Sequence, residues 1–414
     1  MNDLYKEKTT CRLCNSVDLK PVMHLEPTPV GDKYLPIEQQ EESQETIPLE
    51  HNLCSVCDHL QTGFVVNPNA VFKHYLSRPT AVNQVFSDSY REYAEGIFSN
   101  INPGPGDLIV EIGSGDGAFL NFFKERGIPV LGIDPAVNLA EAATEFGIQT
   151  LPTFFNLKVA RDIRAEHGAA LVIITNFTLA SMDDLDDVIR GIHELLSQNG
   201  VLMFETQYRL DGFQKLLLET LNNEQNSIFS VKPLNAYFPR HGLELINVQR
   251  VPSKGGSIRC TVQKAEGNRA ISPMVKELID LEDRLDISHD DFFKPCISRI
   301  HAVREEMEKV LEDIKLEGKS VAGYGTSIGA TNLTYQLGLG DAIEYFVDDD
   351  PYRQNLVSPG YNIPVLSPEV LLVQKPDYVL IMAPLYADQI INNNQAFLDQ
   401  GGHFMEIWPN VRLR

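Results

Sequence analysis

Two pairs of cysteines near the start of the chain carry the first chemical signal in the sequence. Cys11 and Cys14 form one Cys-x-x-Cys pair, and Cys54 and Cys57 form the other. Two thiolates on each of two short turns can complete the tetrahedral shell of a zinc ion, and a site closed by thiolates alone is structural because it leaves no position for water. The spacing therefore predicts a structural Zn²⁺ site, with four unconnected thiols as the alternative.

A glycine-rich turn carries the second signal. Residues 111–117 read Glu-Ile-Gly-Ser-Gly-Asp-Gly and follow the apolar run Leu-Ile-Val, which predicts a strand that ends in a tight turn. Glycines let the backbone turn sharply and approach a ligand closely. Asp134 ends the next predicted strand, where a carboxylate can accept both hydroxyls of a ribose.

The details of this turn favour S-adenosylmethionine (SAM) over a dinucleotide. The turn lacks the last glycine and the pyrophosphate spacing of the dinucleotide fingerprint. A carboxylate before the first glycine suits a cationic ligand better than a diphosphate. We therefore predict that SAM contacts Glu111, Gly113, Ser114, Gly115 and Asp134. A glycine turn without a ligand and an NAD(P)-dependent oxidoreductase are the alternatives.

Asn176 is a further candidate for the cofactor site. It follows the predicted strand Leu-Val-Ile-Ile-Thr. Ligands of open α/β sheets bind at the carboxyl ends of the strands, so Asn176 is expected to form a second wall of the site. A helix N-cap or turn asparagine is an equally good interpretation.

Strand and helix patterns alternate from residue 108 onward and predict a doubly wound α/β core, set off by the Pro- and Gly-rich stretch 101–107. A second glycine turn at 323–326 precedes an acidic strand end at 347–350, which indicates a second Rossmann-like unit that either binds a nucleotide or is only scaffold. The predicted domains are a zinc module at 1–68, a SAM-binding domain at 69–270 with a helical lead-in at 69–100, and a helical linker with a C-terminal Rossmann-like domain at 271–414.

The charge balance argues against two classes of partner. The formal net charge is −22, from 57 acidic and 35 basic residues, and such a surface repels nucleic acid and anionic membranes. No apolar run approaches the ~20 residues of a membrane span, and the polar start of the chain lacks an apolar signal core. We therefore expect a cytoplasmic protein with a small-molecule partner.

The order of these modules resembles the bacterial SAM-dependent C-methyltransferases that act on nucleotide-linked deoxysugars. The stretches that carry the resemblance are CRLC with LCSVC, EIGSGDGAFL, GLELINVQRVPSKGGSIR, VAGYG, and DDDPYRQNLVSPGYNIPV with PDYVLIMAP. The resemblance covers nearly the whole chain. It implies a four-cysteine zinc domain, a class I methyltransferase core with a Rossmann-like sheet, and a C-terminal Rossmann-like domain.

The chain departs from the resembled family where that family carries histidines. Residues 180–183 read Ala-Ser-Met-Asp at the first position, and residues 222–225 read Asn-Asn-Glu-Gln in place of a Tyr-His-Glu-His run. Lys254 stands at the third position, before Gly-Gly-Ser. Only Glu224 of the catalytic group survives, and Tyr75 corresponds to a family tyrosine in the helix before the SAM-binding domain.

These departures decide the candidates for catalysis. Methylation of a carbon beside a ketone needs a base that removes a carbon-bound proton and a group that stabilises the enolate. Glu224 is the candidate base if burial raises its pKa, Lys254 is a candidate to stabilise an enolate or bind a phosphate, and Tyr75 is the third candidate. A solvated Glu224 and a surface Lys254 are the alternatives. Gly329 replaces a family lysine in the C-terminal glycine turn.

We therefore predict a SAM-dependent methyltransferase that acts on a small, sugar-like or nucleotide-linked acceptor. The acceptor pocket is expected between the SAM-binding and C-terminal domains. Methylation of oxygen or nitrogen in a different small molecule stays open, as does a homologue that binds SAM or a sugar nucleotide without catalysis.

Overall fold

The computed structural model describes residues 4–73, 75–76 and 84–414, without the side chains of residues 84–87. These residues form three packed units that follow one another along the chain. Within this part of the chain, no helix has both the length and the apolar character needed to span a membrane.

The N-terminal unit is a small antiparallel module. Its elements are β1 (Tyr5–Glu7), β2 (Leu19–Thr28), β3 (Leu35–Pro36), β4 (Ile47–Cys54), β5 (Leu60–Thr62), β6 (Phe64–Val66) and α1 (Pro68–Phe72). Strand β4 pairs with β2 on one side and with β5 on the other. A short strand from the second unit, β12 (Ser227–Ile228), pairs with β5 and completes a four-stranded sheet.

The second unit is a larger α/β domain. Its other strands are β7 (Leu108–Ile112), β8 (Val130–Ile133), β9 (Thr150–Leu151), β10 (Ala170–Asn176), β11 (Leu196–Gln207), β13 (Leu243–Val251) and β14 (Ser257–Lys264). Its helices are α2 (Gln84–Ile101), α3 (Ala118–Lys124), α4 (Val137–Glu145), α5 (Leu157–His167), α6 (Leu185–Leu195), α7 (Arg209–Gln214) and α8 (Val231–Tyr237).

Seven of these strands form one sheet, in the order β13-β14-β11-β10-β7-β8-β9. Strands β7 to β11 run parallel, whereas β14 is antiparallel to both of its neighbours. The chain builds one half of the sheet outward from β7 and then crosses over to β10, so the strand order reverses between β7 and β10. Open α/β sheets bind ligands at such a reversal. The arrangement confirms the predicted class I methyltransferase core.

Strand β7 forms at the centre of this sheet because it is apolar on both faces. All five of its residues are buried. Ile109 belongs to the same buried cluster as Phe119 of α3 on one face, and Val110 to the same cluster as Ile189 of α6 on the other. Helices therefore cover both faces, as a parallel sheet requires.

The third unit is a second, smaller α/β domain preceded by two helices. Its elements are α9 (Pro273–Arg284), α10 (Lys294–Leu316), β15 (Val321–Tyr324), α11 (Ile328–Gln336), β16 (Tyr345–Val347), β17 (Leu356–Val357), β18 (Val365–Leu366), α12 (Val370–Gln374), β19 (Tyr378–Ile381), α13 (Ala387–Asn393), α14 (Gln395–Asp399), β20 (His403–Glu406) and β21 (Arg412–Leu413). Six strands form a sheet in the order β18-β16-β15-β19-β20-β21. This sheet confirms the predicted second α/β domain.

The three units interlock beyond the predicted domain limits. Val275 and Leu278 of α9 join the core of the methyltransferase sheet, although the sequence places a boundary at residue 270. Strand β17 pairs with β3, so the third unit also contacts the first. Each unit therefore helps to position the other two.

Candidate active site

The glycine turn after β7 lies where the strand order reverses. Gly113, Gly115 and Gly117 have φ values of +75°, +53° and +78°, in the left-handed region that favours glycine. The Gly113 N–H donates to the carbonyl of Ile133 at 2.7 Å, which fixes the turn against the end of β8. Among the described residues, no heavy atom lies within 4 Å of the Cβ position of Gly115, so the turn leaves room for a ligand on that side.

Alanine at position 113 is expected to disrupt this turn. The added Cβ would lie 2.1 Å from Oγ1 of Thr178, and the positive φ adds backbone strain. Together we expect a loss of about 3 kcal/mol in the free energy of unfolding, measured in urea. Gly127→Ala is the matched control, because Gly127 has a φ of +74° and open space around its Cβ position. An equal loss in both variants would contradict the steric argument.

Asp134 stands at the end of β8, directly beside the turn. Its Oδ2 accepts the Gly115 N–H at 2.9 Å, and its Oδ1 accepts the Ala136 N–H at 2.8 Å. The carboxylate is buried, and burial raises its pKa, although the two backbone donors act in the opposite direction. A carboxylate offers about four acceptor positions. Two of them remain for the hydroxyls of a ribose.

Three buried polar atoms around the turn have no partner within the described part of the chain. They are Oε2 of Glu111, Oγ of Ser114 and Nδ2 of Asn176. Buried polar atoms are seldom left unpaired, so this set fits a ligand that supplies the missing donors and acceptors. Burial, followed by the charges of Asp116 and Asp134, raises the pKa of Glu111. A cation such as the ammonium of SAM would favour its charged form.

The sheet register places Asn176 beside these residues. Ile174 of β10 pairs with Glu111, so Asn176 follows at the same edge of the sheet. Its Oδ1 accepts the backbone N–H of Glu205 at 3.2 Å. The structure therefore brings all six predicted cofactor residues to one edge of the sheet.

The four predicted zinc ligands also lie together. The sulfur atoms of the cysteines are all within 4.8 Å of one another. Cys11 and Cys57 have their sulfurs 3.5 Å apart, as do Cys14 and Cys54. A tetrahedral zinc ion with Zn–S bonds of about 2.3 Å separates its sulfurs by about 3.8 Å, so this cluster has the donor set and the size for Zn²⁺.

Local backbone turns hold each cysteine pair. Asn15 and Asp58, which follow the second cysteine of each pair, have φ values of +62°. The second unit supports both turns, because the buried Arg209 donates to the carbonyl of Asp58 at 2.6 Å and Arg240 donates to the carbonyl of Leu13. The metal cluster is therefore docked onto the methyltransferase core.

Glu224 lies three residues before β12, so the pairing of β12 with the zinc module fixes its position. Its side chain is buried, with 5% of the residue exposed. Oε1 accepts the N–H of Asp32 at 3.1 Å, and Oε2 has no partner among the described residues. Burial, together with the nearby charge of Asp32, raises the pKa of Glu224 to about 8. Glu224 is therefore a buried carboxylate and not a solvated one.

Asp32 and Arg353 are site residues that the sequence interpretation missed. Nη2 of Arg353 donates to Oδ1 of Asp32 at 2.6 Å, and both side chains are buried. Nη1 of Arg353 donates to the carbonyl of Thr326 in the C-terminal glycine turn at 2.7 Å. The pair joins the first and third units beside Glu224. No local pattern marks it, because 321 positions separate the two residues.

Lys254 lies in the turn between β13 and β14. Its Nζ is 3.7 Å from the ring centroid of Phe177, the residue that follows Asn176. The contact places its ammonium group at the cofactor edge. Removal from water lowers the pKa of Lys254 to about 8, although Glu205 acts in the opposite direction.

Tyr75 follows α1, and hydrogen bonds hold its backbone. The side-chain amide of Asn138 holds its backbone at both ends, accepting the Tyr75 N–H at 3.3 Å and donating to the Tyr75 carbonyl at 3.0 Å. The next N–H, that of Leu76, donates to Oδ2 of Asp32 at 3.0 Å. Asp32 thus contacts both Glu224 and the residue after Tyr75.

The positions where the resembled family carries histidines or the C-terminal lysine have structural neighbours in this chain. Nδ2 of Asn223 donates to both oxygens of Thr28 and to the carbonyl of Pro29. Gly329 packs so closely on Glu219 that an added Cβ would lie 2.6 Å from the Cβ of Glu219. Asp183 forms ion pairs with three cations of the zinc module, which are Lys6, Lys8 and Arg12.

Three family models match the chain in succession. The model described as "Putative zinc binding domain" matches residues 11–72, "Methyltransferase domain" matches residues 88–248, and "C-methyltransferase C-terminal domain" matches residues 252–409. The matches follow the order of the three structural units.

Two solved structures show only a distant similarity. Magnesium protoporphyrin IX methyltransferase (ChlM) of Synechocystis PCC 6803 with bound SAH is 14% identical, with 45% of this chain and 90% of that chain covered and a TM-score of 0.35. The 1,6-didemethyltoxoflavin-N1-methyltransferase of Burkholderia thailandensis is 18% identical, with 44% and 81% covered and a TM-score of 0.33. Similarity at this level supports no conclusion about this chain.

A curated relative matches the chain along its full length. The C-methyltransferase NovU of Streptomyces niveus is 30% identical over 414 residues, which is all of this chain and 98% of that protein. This relation agrees with the glycine turn that fits SAM and the four-cysteine cluster that fits zinc. The chain is a SAM-dependent methyltransferase and belongs to the C-methyltransferase family.

Proposed function

We propose that the enzyme methylates a carbon atom beside a ketone in a nucleotide-linked sugar. The observation that carries the proposal is the buried carboxylate of Glu224, whose Oε2 has no partner among the described residues and whose pKa is raised to about 8. A carboxylate in this state is a stronger base than a solvated one. It therefore suits the removal of a proton from carbon.

The proposed reaction balances without a further reactant. Oε2 of Glu224 takes the proton from the carbon beside the ketone, and the electron pair of that C–H bond forms the enolate. When bound at the glycine turn, SAM would supply the methyl group from its positively charged sulfur, and S-adenosylhomocysteine would be the leaving group. The carboxyl of Glu224 then releases its proton to water.

Lys254 is proposed to stabilise the negative charge of the enolate oxygen. An ammonium group in a site shielded from water stabilises an oxyanion more strongly than it does in bulk water. With a pKa of about 8, the side chain is mostly protonated at pH 7. Tyr75 is proposed to contact the acceptor as well, since Asn138 holds its backbone and the next residue bonds Asp32.

Glu224→Gln is expected to lower kcat by about 10²- to 10⁴-fold, because the amide cannot accept the carbon-bound proton. Only the ionised form of Glu224 is a base and only the protonated form of Lys254 stabilises an oxyanion, so kcat/KM should rise toward about pH 8 and fall above it, and the variant should lose the rising limb. The measurement is methyl transfer to a panel of nucleoside-diphosphate-linked ketosugars. Exchange of the carbon-bound hydrogen with deuterium from heavy water reports proton removal separately.

Glu219→Gln is the matched control. Glu219 lies five residues away, and burial raises its pKa to about 7, so the variant makes the same change in a similar setting. The control is expected to retain activity within about threefold. Equal losses in both variants would point to damage of the packing and would contradict the proposed base.

A further inference from the structure

Glu205 stands near the end of β11 and is almost fully buried, with 5% of the residue exposed. Its backbone N–H and its carbonyl each form a hydrogen bond at the end of β10. The Glu205 N–H donates to Oδ1 of Asn176 at 3.2 Å, and the Glu205 carbonyl accepts the N–H of Phe177 at 2.7 Å. The backbone of this residue therefore holds Asn176 and Phe177 in place at the edge of the sheet.

The carboxylate of Glu205 holds the turn between β13 and β14, which carries Lys254. Oε1 accepts the hydroxyl of Ser253, and Oε2 accepts Nε and Nη2 of Arg259 at 2.9 and 2.7 Å. The guanidinium of Arg259 also stacks on the ring of Tyr93, with 3.6 Å between Cζ and the ring centroid. Charge-assisted bonds of this kind are stronger and more directional than neutral ones. Ser253 directly precedes Lys254, so these bonds set the position of that lysine.

Phe177 and Lys254, whose side chains are in contact, both adopt left-handed backbone conformations. Phe177 has a φ of +56° and Lys254 has a φ of +46°. Residues other than glycine keep such conformations only where the surrounding structure imposes them. Here the backbone of Glu205 holds the conformation of Phe177, and its carboxylate supports the conformation of Lys254. The result is the contact of Nζ of Lys254 with the ring of Phe177, at 3.7 Å.

We infer that Glu205 is a positioning residue that holds the ammonium group of Lys254 at the cofactor edge. The part that concerns catalysis rests on the proposed function, whereas the part that concerns the position and charge of Lys254 does not. Glu205 touches neither cofactor nor acceptor in this account. It acts through the turn that carries Lys254.

The charges around the turn determine how removal of the Glu205 carboxylate would change the pKa of Lys254. The charged or titratable groups on the segments around Lys254 are Glu205 of β11, Arg259 of β14, Arg250 of β13, Asp211 of α7, Lys215 directly after α7, Tyr93 of α2 and Glu111 of β7. Of these, Glu205 is the one that raises the pKa of Lys254 against burial. Without its charge, the pKa of Lys254 should fall below about 8, because the charged form of the lysine loses its anionic neighbour.

Competitive labelling of Lys254 tests this inference without an acceptor. The purified zinc-loaded protein is acylated with a trace of acetic anhydride at a series of pH values, and the Lys254 peptide is quantified by mass spectrometry. The wild-type labelling midpoint should lie at about pH 8, and Glu205→Gln should move it to lower pH. Glu244→Gln is the control, since Glu244 of β13 accepts a hydrogen bond from Gln263 at 3.1 Å and should leave the midpoint unchanged. An unchanged midpoint in folded Glu205→Gln would overturn the inference, because a merely structural role would alter only stability.

Calorimetry and kinetics separate this inference from the proposed function. Glu205→Gln keeps the backbone bonds to Asn176 and Phe177, so the Kd for SAM should stay within about threefold, while kcat should fall by about tenfold or more. A lowered midpoint with no methylation of carbon by the wild type would sustain the inference and defeat the proposed function. A SAM Kd weakened as much as kcat would overturn the inference.

Ser253→Ala keeps the test decisive if Glu205→Gln fails to fold. The half-buried Ser253 loses only its hydroxyl bond to Oε1 of Glu205, so this variant should fold. A loosened turn should expose Lys254 and raise its labelling rate by about threefold or more, while the Kd for SAM stays unchanged. An unaltered labelling rate would overturn the inference.

Discussion

Calorimetric titration of Asp134→Ala is expected to show that SAM binds about 100-fold more weakly than to the wild type. The variant removes the acceptor that fixes the Gly115 N–H and the two acceptor positions left for the ribose. Hydrogen bonds to charged groups contribute about 1.5–3 kcal/mol each, so the loss of two corresponds to about 3 kcal/mol. Since every 1.4 kcal/mol is tenfold in affinity, the expected change is about two orders of magnitude.

Asp162→Ala is the control for this experiment. Asp162 lies on the exposed face of α5, where it pairs with Lys158, and it should leave the Kd for SAM within about twofold. Asp134→Asn should give an intermediate loss, because its amide keeps one oxygen for the turn. Wild-type affinity in Asp134→Ala would contradict the place assigned to the ribose.

Removal of zinc is expected to abolish acceptor turnover while SAM binding survives in large part. The four-stranded sheet of the zinc module holds β12, and Glu224 lies three residues before it. Structural zinc sites of this type contribute about 10–16 kcal/mol to folding in isolated peptides, so the module should lose its order without the ion. The glycine turn belongs to a different sheet, so the Kd for SAM should change much less than kcat.

Cys54→Ser tests the same point without a chelator, with zinc content measured by mass spectrometry. Cys296→Ser is the matched control, because Cys296 is also a buried thiol but lies outside the cluster. The control should keep its full zinc content and activity. Full zinc content in Cys54→Ser, or full turnover after the ion has been removed, would contradict the role proposed for the module.

The parts of the site that were predicted from the sequence are local. The cysteine pairs and the glycine turn each lie within a few residues, and the physics that shapes them acts over the same range. Asp134 was predictable because the end of the second strand of such a sheet always lies beside the glycine turn. The glycine turn and its strands also predicted the fold class, since alternating strands and helices are compatible with few topologies.

The parts that were not predicted depend on contacts between distant segments. The pairing of β12 with β5 joins residues about 167 positions apart, and two-residue strands leave no readable pattern. The burial of Glu224 follows from that pairing, so the sequence left a solvated carboxylate equally open. Glu205 was missed for a similar reason, because its partner Arg259 lies on an antiparallel strand 54 positions later.

The most direct test of the account is the position of the transferred methyl group. SAM labelled with ¹³C in its methyl group would be incubated with the zinc-loaded enzyme and a panel of nucleoside-diphosphate-linked ketosugars, and the products would be examined by NMR. The account predicts a ¹³C methyl group bonded to a carbon beside the ketone, formed at least about 100-fold more slowly by Glu224→Gln. A methyl group on oxygen or nitrogen would contradict the proposed chemistry.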